Sequence, residues 1–381
     1  MMEFLNSLTD DAYSEGVKID QFVFCAGARP VDLKTGTVIN GDFRTKVRCT
    51  LDNVKRVLHQ ANASLENVFS TYVYVRNMAD RPIVNEVFKE YFKERKYPNR
   101  VIVEVSRLLD NQDIEIVCSA YMPKAGEEVK YLTTQQGQIP TGPFSQGIKI
   151  GQYVFCSGVR PIDSTTQKLV VGDFRQRVRQ CFDNLKAVLA EGEATMDDVF
   201  TTIVYVRNMA DRPIVNEVTR EYFREGNFPL RIIVEISRLN EDHDLEIECA
   251  AYLGAKDFLT TRKGQVPTGP FSQGVKIGHY VYCSGVRPID PITQKLVEGD
   301  FEKRVCQCLD NLGAIMAEGG ADFSDVYTTT VYLRNMSNLP TVHKVFAKYF
   351  DENSYPVRHN IEINRLNEDH DIEIACSAYL E

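Results

Sequence analysis

Three arginines recur in one local setting: Tyr97-Pro98-Asn99-Arg100, Phe228-Pro229-Leu230-Arg231 and Tyr355-Pro356-Val357-Arg358. Each opens a strand-like run that closes on Glu104-Val105, Glu235-Ile236 or Glu362-Ile363. A guanidinium is a planar fork of N–H donors. It matches a carboxylate through two parallel, charge-assisted hydrogen bonds. An arginine at the mouth of an apolar strand, stated three times, points to recognition of a small carboxylate. The competing reading is an ion pair with an acid across an interface between repeats.

The spacing makes the three settings copies of one unit. Arg100, Arg231 and Arg358 are separated by 131 and then 127 residues. Cys25-Ala26-Gly27, Cys156-Ser157-Gly158 and Cys283-Ser284-Gly285 keep those offsets, as do the Gly-Asp-Phe triplets at Gly41, Gly172 and Gly299. From cysteine to arginine the distance is 75 residues in every copy, so the four-residue difference falls in the linkers, 122–132 and 253–259. Such periods are domain-sized. The expected domains are 1–122, 132–253 and 259–381.

In the first copy the pattern predicts a strand over 21–26 and a turn-rich stretch over 30–41. A helix capped by Asp42 follows to about residue 61, with Phe43, Val47, Leu51, Val54 and Leu58 on one face. Strands over 68–76, 101–108 and 114–121 surround a second helix that Pro82 opens and that runs to about residue 95. The second and third copies carry an additional amino-terminal arm, 133–148 and 260–275. Along the last strand, Ile114, Ile116, Cys118 and Ala120 point one way. Glu115, Val117, Ser119 and Tyr121 point the other. Two helices cover one sheet face. The second face is too apolar to be left wet. The expected solution is three sheets covering one another around a pseudo-threefold axis, with ligand sites in the clefts between neighbouring repeats.

Composition bounds the partners. The 381 residues carry a formal net charge of −9 and a pI of about 5.4, which argues against generic nucleic-acid binding. No stretch approaches the roughly 18 apolar residues of a membrane span. Residues 1–6 have no basic-then-apolar leader pattern. Of ten cysteines, Cys25, Cys156 and Cys283 share one strand position, and Cys118, Cys249 and Cys376 share another. Apolar, alternating surroundings fit buried thiols in a reducing, cytoplasmic compartment rather than disulfides or zinc ligands. Cys306 and Cys308 fall on different sides of a helix. No metal or cofactor is expected. The acidic turns containing His243 and His370 read as hairpin loops, and the repeated Arg-Asn-Met at Arg76, Arg207 and Arg334 reads as a strand-end turn.

Four pieces together carry a resemblance: the arm Gly142-Pro143-Phe144-Ser145-Gln146-Gly147, the Cys156-Ser157-Gly158 strand, Pro229-Leu230-Arg231, and Asp244-Leu245-Glu246-Ile247-Glu248. The three repeats resemble the Rid (YjgF-like) family of enamine/imine deaminases over nearly the whole chain. The resemblance implies an α/β (α+β) fold. It would be three chorismate-mutase-like β-β-α-β-α-β-β domains packed as a single-chain pseudo-trimer, a monomer acting as an intramolecular trimer.

By position, the family's carboxylate-binding arginine falls at Arg100, Arg231 and Arg358. Its water-orienting glutamate falls at Glu115, Glu246 and Glu373. Its strand serine falls at Ser157 and Ser284, with Ala26 in the first copy. Its arm tyrosine falls at Tyr13, and at Phe144 and Phe271 in the other copies. Its helix asparagine falls at Asn85 and Asn216, with His343 in the third. Ile102, Ile233 and Asn360 stand where many members have cysteine.

The first copy has lost most of the arm, reading Asp11-Ala12-Tyr13-Ser14-Glu15-Gly16. On this reading Arg231 and Arg358 belong to well-kept copies and Arg100 to the most eroded one, so the three clefts are inequivalent. The implied activity is hydrolysis of 2-imino and 2-enamino acids, with anion recognition at all three arginines and catalysis at fewer. The alternatives are a non-catalytic scaffold for a small ligand or partner, and the ribonuclease activity ascribed to some relatives.

Overall fold

Asp42, Asp173 and Asp300 each accept a hydrogen bond from the backbone N–H three residues on, and so cap the helices Phe43–Gln60, Phe174–Glu191 and Phe301–Glu318. The cap satisfies a donor that the first helical turn leaves orphaned. The computed structural model that shows this describes residues 1–5 and 13–381. Asp11 and Ala12 of the first arm lie outside the described residues. Val47, Leu51, Val54 and Leu58 pack the first helix onto its sheet. The second helices are Arg81–Tyr91, Arg212–Tyr222 and Leu339–Tyr349, each with proline in its first turn.

Among the described residues the sheets are three of six strands and one small pair, Val31–Asp32 with Thr37–Val38. In the first repeat the sheet order is Met2–Leu5, Gly16–Ile19, Phe22–Cys25, Ile114–Tyr121, Val68–Val75, Asn99–Glu104. The parallel pair Val68–Val75 and Asn99–Glu104 is joined through the second helix, and Ile114–Tyr121 runs antiparallel beside it.

Each domain is thus β-β-β-α-β-α-β-β, one strand more than the pattern indicated. The added strands Met2–Leu5, Val129–Leu132 and Asp257–Leu259 have three or four residues each, and the latter two lie in the stretches read as linkers. They are too short to show a period. Antiparallel pairing with Gly16–Ile19, Gly147–Ile150 and Gly274–Ile277 gives them their identity. The strand expected over 101–108 stops at Glu104 because the chain then turns to the next repeat, where the Glu104 N–H donates to the Arg238 C=O at 3.0 Å.

The repeats contact one another in cyclic order. Backbone bridges join Glu104 to Arg238, Glu235 to Arg365 and Arg107 to Glu362. The side-chain alternation behaves as expected. Ile114, Ile116 and Cys118 face the helices, while Val117 joins Tyr74, Val103, Tyr205, Val234, Tyr332 and Ile361 in a core shared by all three domains. All ten cysteines are free thiols. A contact with Cys25, reinforced by burial, pushes the Cys118 thiol well up, as befits an inert core residue. Among the described residues no helix is long and apolar enough to cross a membrane.

Candidate functional site

The Pro-x-Arg motif is where one repeat receives the arm of the next. The Pro98 C=O accepts from the Ser145 N–H at 3.2 Å, and the Tyr97 C=O accepts from the Ser145 hydroxyl at 2.6 Å. Parallel pairing sets Arg100 opposite Thr71. Its backbone N–H donates to the Ser157 Oγ at 2.9 Å, and that hydroxyl donates to the Ser145 C=O at 2.6 Å. Ser157 therefore fastens the two repeats, with its donor and an acceptor lone pair engaged by backbone. Ser284 repeats this between Arg231 and Ser272, at 3.0 and 2.6 Å.

Around Arg100 the first repeat supplies Asn85, whose Oδ1 accepts from Nη2 at 2.8 Å. The second repeat supplies Phe144, its ring centroid 5.1 Å from the guanidinium carbon. Around Arg231 the second repeat supplies Asn216 and the third supplies Phe271 at 5.0 Å. Arg231 is only 5% exposed, yet its Nη1 and Nη2 have no hydrogen-bond partner, nor does the Asn216 Oδ1. A buried guanidinium with unpaired donors is costly unless an anion arrives. Burial accordingly lowers Arg100 and Arg231 to about 9, which leaves both charged at neutral pH.

The glutamates lie across these clefts. Glu246 and Glu373 are each 5% exposed. A Cβ on Gly158 would sit 2.0 Å from the Glu246 Oε1, and one on Gly285 would sit 2.1 Å from the Glu373 Oε1. Glycine is therefore required for the carboxyl to press against the backbone. Burial raises Glu246 to about 7 against the pull of Arg160, Arg81 and Arg100. Glu373 likewise rises to about 7 against Arg287, Arg212 and Arg231. The second cleft has a volume of about 20 Å³, room for one water, lined by Arg212, Arg231, Phe271, Arg287 and Glu373 among others.

The eroded setting expected around Arg100 belongs instead to Arg358. Because arm and Ser-Gly strand come from the following repeat, Arg100 uses those of the second copy, and Arg358 uses those of the first. There the Ser14 hydroxyl donates to the Tyr355 C=O at 2.6 Å, the Tyr13 ring lies 5.8 Å from the Arg358 guanidinium, and Ala26 offers no hydroxyl. Leu339 stands where the other clefts have Arg81 and Arg212. Glu115, raised to about 7 by burial, is opposed by Arg29. The half-buried His343 occupies the position of Asn85 and Asn216.

Several residues of the clefts were not singled out by sequence reasoning. Arg160 and Arg287 are 4% and 3% exposed and contact His243 and His370 at 3.2 and 3.3 Å. Their signal was present: Arg-Pro recurs at Arg29, Arg160 and Arg287, four residues past the repeated cysteine. His243 and His370, read as loop residues, are buried against these arginines. The Arg-Asn-Met sites are strand-end turns, with Asn77, Asn208 and Asn335 capping short 3₁₀ turns. Among the described residues no cluster of His, Cys, Asp and Glu could hold a metal.

One consequence is structural. Ser284 is 2% exposed, and alanine there would strand an N–H and a C=O. Ser284→Ala is expected to cost about 1–3 kcal/mol. The check is the urea midpoint, and an unchanged midpoint would refute the fastening role.

Comparison with known proteins places these features. The model of the family described as Endoribonuclease L-PSP matches three times, at residues 5–122, 135–253 and 262–380. A RutC family protein of Pyrococcus abyssi is 38% identical over 33% of this chain and 99% of its own length. The 2-iminobutanoate/2-iminopropanoate deaminase of Mus musculus is 34% identical over 32% of this chain and 88% of its own length. Among solved structures, RidA from Psychrobacter sp. PAMC 21119 is 28% identical, covering 32% of this chain and 98% of that one with a TM-score of 0.31.

Proposed function

Since the chain belongs to the Endoribonuclease L-PSP family, as three tandem copies, we propose that it hydrolyses reactive 2-imino and 2-enamino acids to 2-keto acids and ammonia. The work falls to two of its clefts, and the three domains of one chain play the part of three subunits. The observation that carries the reading is Arg231: buried, with both terminal nitrogens unpaired, in a cleft that also holds Glu373. The deaminase name borne by the mouse relative, and by one from Dermatophagoides farinae, supports it.

The substrate carboxylate docks on Arg100 or Arg231, each charge-assisted bond contributing about 1.5–3 kcal/mol. An enamine first moves a proton to carbon and becomes the imine. Water adds to the imine carbon as its O–H proton passes to Glu246 or Glu373. That proton is returned to nitrogen to give the carbinolamine; its hydroxyl proton then passes by way of the same carboxyl to nitrogen, the C–N bond breaks, and ammonia leaves as the carbonyl forms. A carboxyl with a pKa near 7 suits both halves of this exchange at neutral pH. Positioning supplies the remainder.

The third cleft keeps Arg358 and Glu115 but has Leu339 and Ala26 in place of an arginine and a serine. That composition favours ligand retention without efficient turnover there. A net charge of −9 opposes a ribonuclease reading.

The test generates 2-iminobutanoate in situ from threonine with a dehydratase and follows its disappearance. The purified chain is expected to accelerate hydrolysis over buffer alone. Absence of any acceleration would sink the proposal.

A further inference from the structure

Where the three sheets meet lies a cavity of about 240 Å³ that none of the cleft arginines or their glutamates lines. Equivalent aromatic residues of the three repeats frame one end. Phe22 lies 6.3 Å from Tyr153 and 6.4 Å from Tyr280, centroid to centroid. All three rings are half-buried, so this end is reachable from solvent. A side pocket of about 60 Å³ adjoins the cavity and shares Tyr72 and Phe155 with it. Glu248 lines that pocket.

Glu248 breaks the threefold pattern. The first repeat has Val117 at the equivalent position and the third has Ala375, so the fold does not need a carboxyl there. Glu248 is 7% exposed, and its Oε1 has no hydrogen-bond partner. Burial pushes it up to about 8, against hydrogen bonding from Tyr72. Among the described residues, those that act on it are the tyrosines Tyr72, Tyr74, Tyr205 and Tyr332, and Glu246, which repels it. An unpaired buried acid in an otherwise apolar core is a liability unless something pairs with it.

The requirements of such a partner follow from the walls. It carries one positive charge, because a single carboxyl faces it and ionises as the cation pairs with it. It has an apolar body, because aromatic rings line the approach, and their faces attract cations. A bare divalent ion is a poor fit, since it needs several oxygen ligands. We propose that the axial cavity is a binding site for a small hydrophobic amine in its ammonium form, with Glu248 as counter-ion and Tyr72 as acceptor of a second N–H. The site is single because only the second repeat supplies the carboxylate. It is independent of the deaminase reading.

The test is calorimetric titration of the full chain with benzylammonium chloride, beside the neutral benzyl alcohol. The expected result is one site per chain, weaker binding of the alcohol, and a loss of at least about tenfold in affinity in the isosteric Glu248→Gln. The variant Arg100→Ala/Arg231→Ala should bind as the wild type does. Glu248→Val restores the residue of the first repeat. It should fold at least as stably and fail to bind, which separates loss of the site from loss of the fold. Equal affinity in wild type and Glu248→Gln, three sites per chain, or no binding at millimolar amine would each overturn the proposal.

Discussion

The double variant Arg100→Ala/Arg231→Ala is expected to hydrolyse 2-iminobutanoate at least about 100-fold more slowly than the wild type, since it removes two charge-assisted bonds per substrate in each competent cleft. Arg358→Ala is expected to leave the rate close to the wild-type value. The asymmetry comes from the partners of each arginine. Arg100 and Arg231 work beside a second arginine, Arg81 or Arg212, and against Ser157 or Ser284 of the following repeat. Arg358 works beside Leu339 and Ala26. Single variants at 100 and 231 should each remove about half of the rate. Steady-state rates at saturating dehydratase decide the matter. A threefold or larger fall from Arg358→Ala alone would contradict the assignment of the third cleft.

The second large effect concerns the carboxyls. Glu246→Gln/Glu373→Gln should lower kcat by about 10²–10⁴, the range typical of a lost acid–base group. The wild-type pH profile carries the same information. Burial raises both carboxyls from 4.5 to about 7, so below pH 7 most clefts hold the neutral acid, which cannot accept a proton from water. Thus kcat/KM should rise about tenfold per unit up to pH 7 and level above it, and the double variant should lose that rise. The sign for stability is opposite. A carboxyl raised in the fold contributes stability that is present below pH 4.5 and lost as pH rises through 7. A rate profile that is flat in the wild type from about pH 5 to 8 would refute the role assigned to these residues.

Much of this was legible in the sequence, for identifiable reasons. Asp42 before an apolar 3.6-residue period fixed the start of the first helix, and the alternation Ile114, Ile116, Cys118 fixed which sheet face the helices cover. Exact repetition of landmarks fixed the threefold plan. What was hidden is what depends on neighbours. The pairing of Arg100 with Ser157, rather than with Ala26 of its own repeat, is a fact about which domain follows which in space. No local pattern encodes it. The short edge strands acquire their form only from a hairpin partner. The contribution of Arg160 and Arg287 depends on burial against His243 and His370, although the recurring Arg-Pro was there to be noticed.

The division of each cleft between two repeats also sets what can be lost together. Three domains in cyclic contact share three edges, and two domains share one. Removing any single repeat would therefore abolish two of the three composite sites, whichever repeat is chosen. A point substitution behaves in the opposite way. In a trimer of identical chains one codon rewrites all three interfaces at once, whereas here Ala26 and Leu339 each bear on one edge and leave the other two unchanged. On the proposed function, the fused chain is fragile to deletion and tolerant of point substitution.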